Sequence, residues 1–492
     1  MAPRARNPRS LGEVTELIAI ILSFLDNRSL ARSARVSRKW SEIALDILWR
    51  EVDDLHRLFS TLCPFAKPMK KMGEGGRMLQ SFKYKRNISK QDWQRFARYS
   101  TRVRRLVFNE RSPKYRTKVI DNSVFFLTSQ TRPLAGILPN LQTFVWHVHN
   151  PDTQLQSMSL MHECIRAFDV QILPRGSHST QEIDFIWQIG ARMPNLTHLT
   201  LRRRGPVREL EKDICRLHHG GVSRLKDLQE IALTGPDEGG MGDSTDVVGF
   251  SPALQDGAFP VLRRLSFSAL LPAATEFIES HSSLPSSLDS TLVELTVDFI
   301  ICPTVPLTVP APDMDARPSI ATFRPLFACR RITSFEFRWD YPLHLQDDDM
   351  EEFSLAWPGL EHLMLNSEAV IEFTSSALTL GALVPFANHC PRLRHLGLYL
   401  NADAPPSRMV DQPFRSLQKL SVGASSITAA DAVALFLSQL CSPICQIVSG
   451  LRWPDAYGLA LDNAGIFDER RTMICDFGEE RGRVAFLQRE TG

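Results

Sequence analysis

The sequence predicts an α/β chain in which a short three-helix head precedes a curved solenoid of single-strand repeats. Three observations predict it. Residues 11–50 carry apolar side chains on more than one helical face. After residue 101, eleven six-residue segments share one template, apolar at the first, fourth and sixth positions. The segments between them show helical spacing or are loops rich in Gly, Pro and Ser. A repeat array lengthens along one axis without needing a larger core, so 492 residues do not require the several domains that about 150 residues per domain would suggest.

Composition narrows the function classes. Apolar content is 43% and charged content 23%, ordinary for a globular protein. The balance of 57 basic and 55 acidic residues (57 − 55 = +2) provides no whole-chain attraction for nucleic acid or a membrane surface. Nine cysteines, an odd number without a repeating spacing, suit a reducing compartment, so cytoplasm or nucleus is expected. Cys441 and Cys445 stand four apart, but no second ligand pair follows, and no metal or other cofactor is expected. No apolar run approaches the roughly 18–20 residues of a membrane helix. The basic MAPRARNPRS followed by ELIAIILSFL imitates a secretion signal, but Glu13 and Glu16 interrupt it and no small-residue cleavage site follows Leu25.

In chain order, residues 1–10, with Arg4, Arg6 and Arg9 and two prolines, are expected to be a disordered basic tail. In the helical module 11–52, Val14, Leu17, Ile18, Ile21, Leu22 and Leu25 keep helical spacing, and Ile20 and Phe24 widen the stripe. A helix this apolar must be covered on more than one side. Asp26-Asn27 stops it and caps a second helix around Leu30, Ala31 and Ala34. Ser37 caps a third, where Trp40, Ile43, Ala44, Ile47 and Leu48 keep helical spacing. Three helices in about 40 residues bury too little surface to be robust alone, so the excess apolar face meets a partner or the body behind it.

Residues 53–100 are expected to be a linker with one helix, SKQDWQRFARYS (89–100), capped by Ser89. The basic, Gly-rich KPMKKMGEGGR (67–77) lacks the strand–loop–helix context of a phosphate site. The array occupies 101–450, from VRRLVF (103–108) to LQKLSV (417–422), with ICQIVS (444–449) as a weak twelfth instance. Starts lie 24 to 40 residues apart, and proline stands two residues before five of them. Helices are expected at 181–192, 207–217, 376–390 and 428–440. Residues 451–492 are expected to cap the last repeat.

One strand per repeat has a geometric consequence. Positions four and six share one face, and positions three, five and seven share the other, because strand side chains alternate. The latter face therefore carries Arg105, His147, Arg202 and Arg264, then Glu294, Asp298 and Glu336. It leans basic early and acidic in the middle, and these seven are the candidate target-binding residues. The bland alternative is a solvated sheet face. Arg202-Arg203-Arg204 has no basic continuation, so nucleic acid is not expected as a partner. No Gly-x-Ser-x-Gly elbow or His-Glu-x-x-His helix occurs, and His218-His219 is an isolated pair, so the chain is not expected to be an enzyme.

Two resemblances add to this. Glu16-Leu17, ILSFLD, Leu30, VSRKW and ALDILW, in this order, resemble an F-box, although Glu13-Val14 stand where that family usually has Leu-Pro. The repeats resemble leucine-rich repeats, longer and less regular than usual, and the combination resembles the F-box/leucine-rich-repeat proteins of basidiomycete fungi. The resemblance implies that the head binds the Skp-type adaptor of a cullin–RING ubiquitin ligase. The adaptor landmarks map to Leu17, Ile21, Leu25, Leu30, Val36, Trp40 and Trp49. It further implies a substrate receptor, linked through the adaptor to a cullin, whose repeats hold a target protein. A repeat scaffold without a ubiquitin-ligase role is the alternative.

Overall fold

A computed structural model describes residues 15–72, 78–172 (except 111, 116, 135, 149 and 150), 180–203, 227–234, 261–268, 291–298 and 317–449 (except 340, 368, 370–376, 403–405, 407, 424 and 426–429). Glu13-Val14, His218-His219, the helix expected at 207–217 and the expected tail and cap lie outside them. The chain divides into two compact units, residues 1–198 and 199–492. That division falls inside the stretch 101–450 expected as one array.

The first unit begins with α1 (Thr15–Ser23), α2 (Asn27–Ser33) and α3 (Arg38–Arg50), and α3 packs on both of the others. Side-chain caps set the starts. Asp26 accepts from the Ser29 amide at 3.0 Å and Ser37 from the Trp40 amide at 3.3 Å, each satisfying a first-turn donor that the helix itself cannot. Ile18, Leu22, Leu30, Ala44, Leu48 and Trp49 form the core of this trio and its junction with the rest of the unit.

Residues 53–100 are more than the expected linker. Asp54 caps α4 (Leu55–Leu62), which buries Leu55, Leu58, Phe59 and Leu62. A hairpin follows, β2 (Met69–Met72) antiparallel to β3 (Met78–Phe82), and then α5 (Lys90–Ser100). Ser89 and Asp92 form a capping box at α5, and Asp92 is also held by Arg86 at 2.5 and 2.8 Å. β3 pairs in parallel with β5 (Lys118–Ile120), which completes a three-stranded sheet. Buried Tyr115 pegs the region together: its hydroxyl accepts from the Leu55 amide at 2.8 Å and donates to the Asp53 carbonyl at 3.2 Å.

The first unit's other sheet is parallel, in the order β1 (Glu51–Val52), β4 (Arg105–Asn109), β6 (Thr143–His147), β7 (Ala167–Ile172). The second unit holds β8 (His198–Arg203, entering it at Leu199), β9 (Glu230–Thr234), β10 (Arg264–Ser268), β11 (Glu294–Asp298), β12 (Ser334–Arg338), β13 (His362–Leu365), β14 (His395–Leu398), β15 (Lys419–Gly423) and β16 (Gln446–Ser449). From β9 to β16 every neighbouring pair is parallel and follows chain order.

All twelve template segments become strands, and each strand begins at the third template position. In the second unit the strand registers align the repeats position by position, as in Arg264↔Glu294↔Ser334↔His362↔His395↔Lys419. Where their side chains are described, template positions four and six point inward. In the first unit Phe108 and Trp146 meet with ring centres 4.6 Å apart, and Phe144 and Phe168 at 5.1 Å. In the second, Phe323 packs on Phe337 at 5.0 Å and Phe335 on Trp357 at 5.2 Å. Return helices lie at Thr180–Arg192, Val384–His389 and Ala430–Leu440, overlapping three of the expected segments.

Candidate protein-docking surfaces

Helix α1 divides its apolar residues between two faces. Ile18 and Leu22 are buried, whereas Leu17, Ile20, Ile21 and Phe24, spaced i, i+3, i+4 and i+7, are exposed, with Phe24 at 83%. Val36, just beyond α2, is exposed as well. Fully covering one such side chain contributes about 1.5–3 kcal/mol, so a contiguous stripe left in water marks a contact surface. In and beside α2, Arg28, Arg32, Arg35 and Arg38 are exposed.

The seven expected adaptor landmarks separate into three groups. Leu17, Ile21 and Val36 are exposed, and Leu25 and Trp40 are half-buried. Leu30 (2% exposed) and Trp49 (4%) face inward and hold the helices together. The Trp49 ring lies 4.9 Å from Tyr99 of α5 and under the Arg57 guanidinium at 4.7 Å, so it joins the head to the elements behind it. Spacing alone did not distinguish these roles, because both faces of an over-apolar helix trio read alike. Ile20 and Phe24, which only widened the stripe in sequence, are among its most exposed members. Arg102, following α5, pairs with both Glu42 and Asp46 of α3 and donates to the Glu42 carbonyl at 3.0 Å. Its guanidinium holds the Glu42 carboxyl below the usual carboxylate range, by hydrogen bonding first and charge second.

The second surface is the strand face of template positions three, five and seven. In the first unit, Arg105 lies 3.7 Å from Glu51 on β1, and His147 Nε2 lies 2.9 Å from Asp169 on β7. In the second, Arg264 sits between Glu230 at 3.4 Å and Glu294 at 3.0 Å. Glu336 pairs with Arg338 at 2.5 Å, and Arg338 stands in register with Asp298. Arg202, on β8, is half-buried. Arg105, Arg264, Glu294 and Glu336 are thus engaged with charges on the same or the neighbouring strand. Exposed pairs of this kind contribute little to stability, about 0–1 kcal/mol each, and can exchange partners at low cost.

Asn366 departs from this face. It occupies position seven after β13 yet is buried, with φ 51°. Its Oδ1 accepts from the Trp339 amide at 2.7 Å and its Nδ2 donates to the Tyr341 carbonyl at 2.7 Å. Nothing in the template marks it, although asparagine is one of the few non-glycine residues that tolerate a left-handed backbone.

Among the described residues, no group of three His, Cys, Asp or Glu is arranged to hold a metal ion, and no helix is long and apolar enough to cross a membrane.

Comparison with known proteins covers the head. No curated protein matches the chain. A solved structure, the complex of Rad7 and Elc1 in yeast, aligns over 89% of this chain and 93% of that one at 11% identity. Its TM-score is 0.36, a level of likeness that carries no structural argument. The F-box-like family matches at residues 15–54, close to the 11–52 expected from sequence. Residues 15–54 therefore form an F-box-like domain.

Proposed function

We propose that this chain is the substrate-recognition subunit of an SCF-type cullin–RING ubiquitin ligase. The F-box-like head holds a Skp-type adaptor, and through it a cullin. Repeats of the leucine-rich type hold a target protein on their strand face. The observation that carries this reading is the outward stripe Leu17, Ile20, Ile21 and Phe24 on a helix whose other face is already packed. Such a stripe fits a partner with an apolar groove. The repeats support the second half: in the second unit the aligned strands β9 to β16 present a ladder of exchangeable charges suited to a protein surface. The chain itself performs no bond chemistry; it places target lysines near a ubiquitin-charged enzyme held elsewhere in the assembly.

The test is co-purification of the full-length chain with a co-expressed Skp-type adaptor, with and without residues 11–50. Recovery of the adaptor with the intact chain and its loss on deletion is the expected result. Adaptor binding that survives the deletion, or never occurs, overturns the proposal and leaves the repeat scaffold.

A further inference from the structure

The three-stranded sheet of the first unit, order β2-β3-β5, is set apart from the parallel ladder, and β2 forms one of its edges. All four residues of β2, Met69, Lys70, Lys71 and Met72, are exposed. In a ladder, backbone groups bond alternately to either side, so an edge strand of this length presents about two N–H and two C=O groups outward. Edge strands invite a further strand, and proteins commonly guard them with lysine.

The charge pattern selects what can pair there. Antiparallel pairing of Met-Lys-Lys-Met with a second copy of itself sets Lys70 against Lys71 twice, and parallel in-register pairing sets each lysine against its twin. Both place like charges directly opposite, which is destabilising. A second copy is thus disfavoured, whereas acidic residues at the two central positions are favoured. Asp121 engages Lys71 at 3.5 Å and Lys83 at 3.7 Å. Lys67 and Lys70 form no ion pair among the described residues, so positive charge remains at the edge. The flanking Met69 and Met72, with Met78 opposite Met72 in register, supply flexible apolar surface that adapts to varied side chains.

We propose that the free edge of β2 takes up an extended acidic peptide segment as an added strand, with the pattern apolar–acidic–acidic–apolar. The site lies on a different element from the α1 stripe and does not depend on the ubiquitin-ligase reading. Backbone hydrogen bonds provide the affinity and the lysines the selectivity.

The probe is a fluorescent peptide containing Val-Glu-Glu-Val, titrated into the full-length chain and followed by anisotropy. Its comparators are a Val-Lys-Lys-Val peptide and the acidic peptide methylated on alternate backbone nitrogens. The acidic peptide is expected to bind, to weaken with salt, and to protect the amides of residues 69–72 from hydrogen exchange. The Lys70→Glu/Lys71→Glu variant is expected to bind it about tenfold more weakly, from the charge contacts at the two central positions. Both comparator peptides are expected to fail on the wild-type chain, an arm that needs no variant to fold. No binding of the acidic peptide, equal binding of the methylated peptide, or equal binding of the basic peptide overturns the proposal. So does self-association of the chain that Lys70→Glu alters, since a second copy would then occupy the edge.

Discussion

Replacing Asn366 by alanine tests how the second unit fixes the turn after β12. Asn366 is only 4% exposed, and its amide side chain satisfies both the Trp339 N–H and the Tyr341 C=O at 2.7 Å. Trp339 and Tyr341 are themselves buried, so water does not readily replace those bonds. Each buried backbone group left unpaired costs about 1–3 kcal/mol. Alanine at φ 51° adds about 1–2 kcal/mol of left-handed strain, which glycine would not. The expected loss is therefore about 3–8 kcal/mol for Asn366→Ala and about 1–2 kcal/mol less for Asn366→Gly. Asn366→Asp keeps the acceptor but loses the donor and falls between wild type and glycine. Because repeat arrays need not unfold in one step, the appropriate assay is urea unfolding followed by tryptophan fluorescence, together with hydrogen exchange at residues 337–341. A loss below about 1 kcal/mol for alanine, or alanine proving more stable than glycine, would refute this account of the turn.

Three further outcomes are expected. His56 packs against Phe65, Phe82 and Tyr115, and neither ring nitrogen has a hydrogen-bond partner among the described residues. Burial lowers its pKa to about 4; Lys118 acts in the same direction and Asp54 opposes it. The folded state therefore disfavours the proton that the unfolded chain takes up near pH 6.5, and stability falls as pH drops from about 6.5 toward 4. The ring's partial exposure reduces the effect to about 1–2 kcal/mol; His56→Phe should flatten urea midpoints between pH 7 and 5, and an unchanged slope would count against it. Trp49→Ala should destabilise the first unit by about 3–5 kcal/mol, so adaptor binding should be lost along with thermal stability; loss of binding at unchanged melting temperature would instead make Trp49 a contact residue. Arg264→Ala, which removes an exposed cation shared by Glu230 and Glu294, should change stability by less than about 1 kcal/mol while altering the salt dependence of target capture; a large stability loss would contradict the exchangeable character of the ladder.

How much of this was legible in the sequence follows from which forces leave a local trace. The strand ladder was legible because Leu106, Phe108 and their counterparts repeat at positions dictated by strand alternation, and every template instance starts its strand at the same position. Helix starts were legible at Asp26, Ser37 and Ser89 because capping depends on one side chain and the adjacent amides. Strands β1, β2, β3 and β5 were not, since two to five residues of mixed polarity leave no periodic signal, and β3 and β5 pair across intervening helix. The site was half legible. The α1 stripe followed from its apolar excess, but that excess does not say which face is packed, and it placed buried Leu30 and Trp49 beside exposed Leu17 and Ile21. Likewise, the strand face could be read as charged, but Arg264 lying between two glutamates depends on register between segments 30 to 34 residues apart.

The most direct test of the central claim is the affinity of a purified Skp-type adaptor for the full-length chain carrying Ile21→Asp and Phe24→Asp. Both side chains are exposed, so the head should keep its melting temperature. At about 1.5–3 kcal/mol for each covered side chain, binding should weaken by at least about a hundredfold. Adaptor affinity within about threefold of wild type, in a variant that melts normally, would contradict the assignment of the α1 stripe as the docking surface.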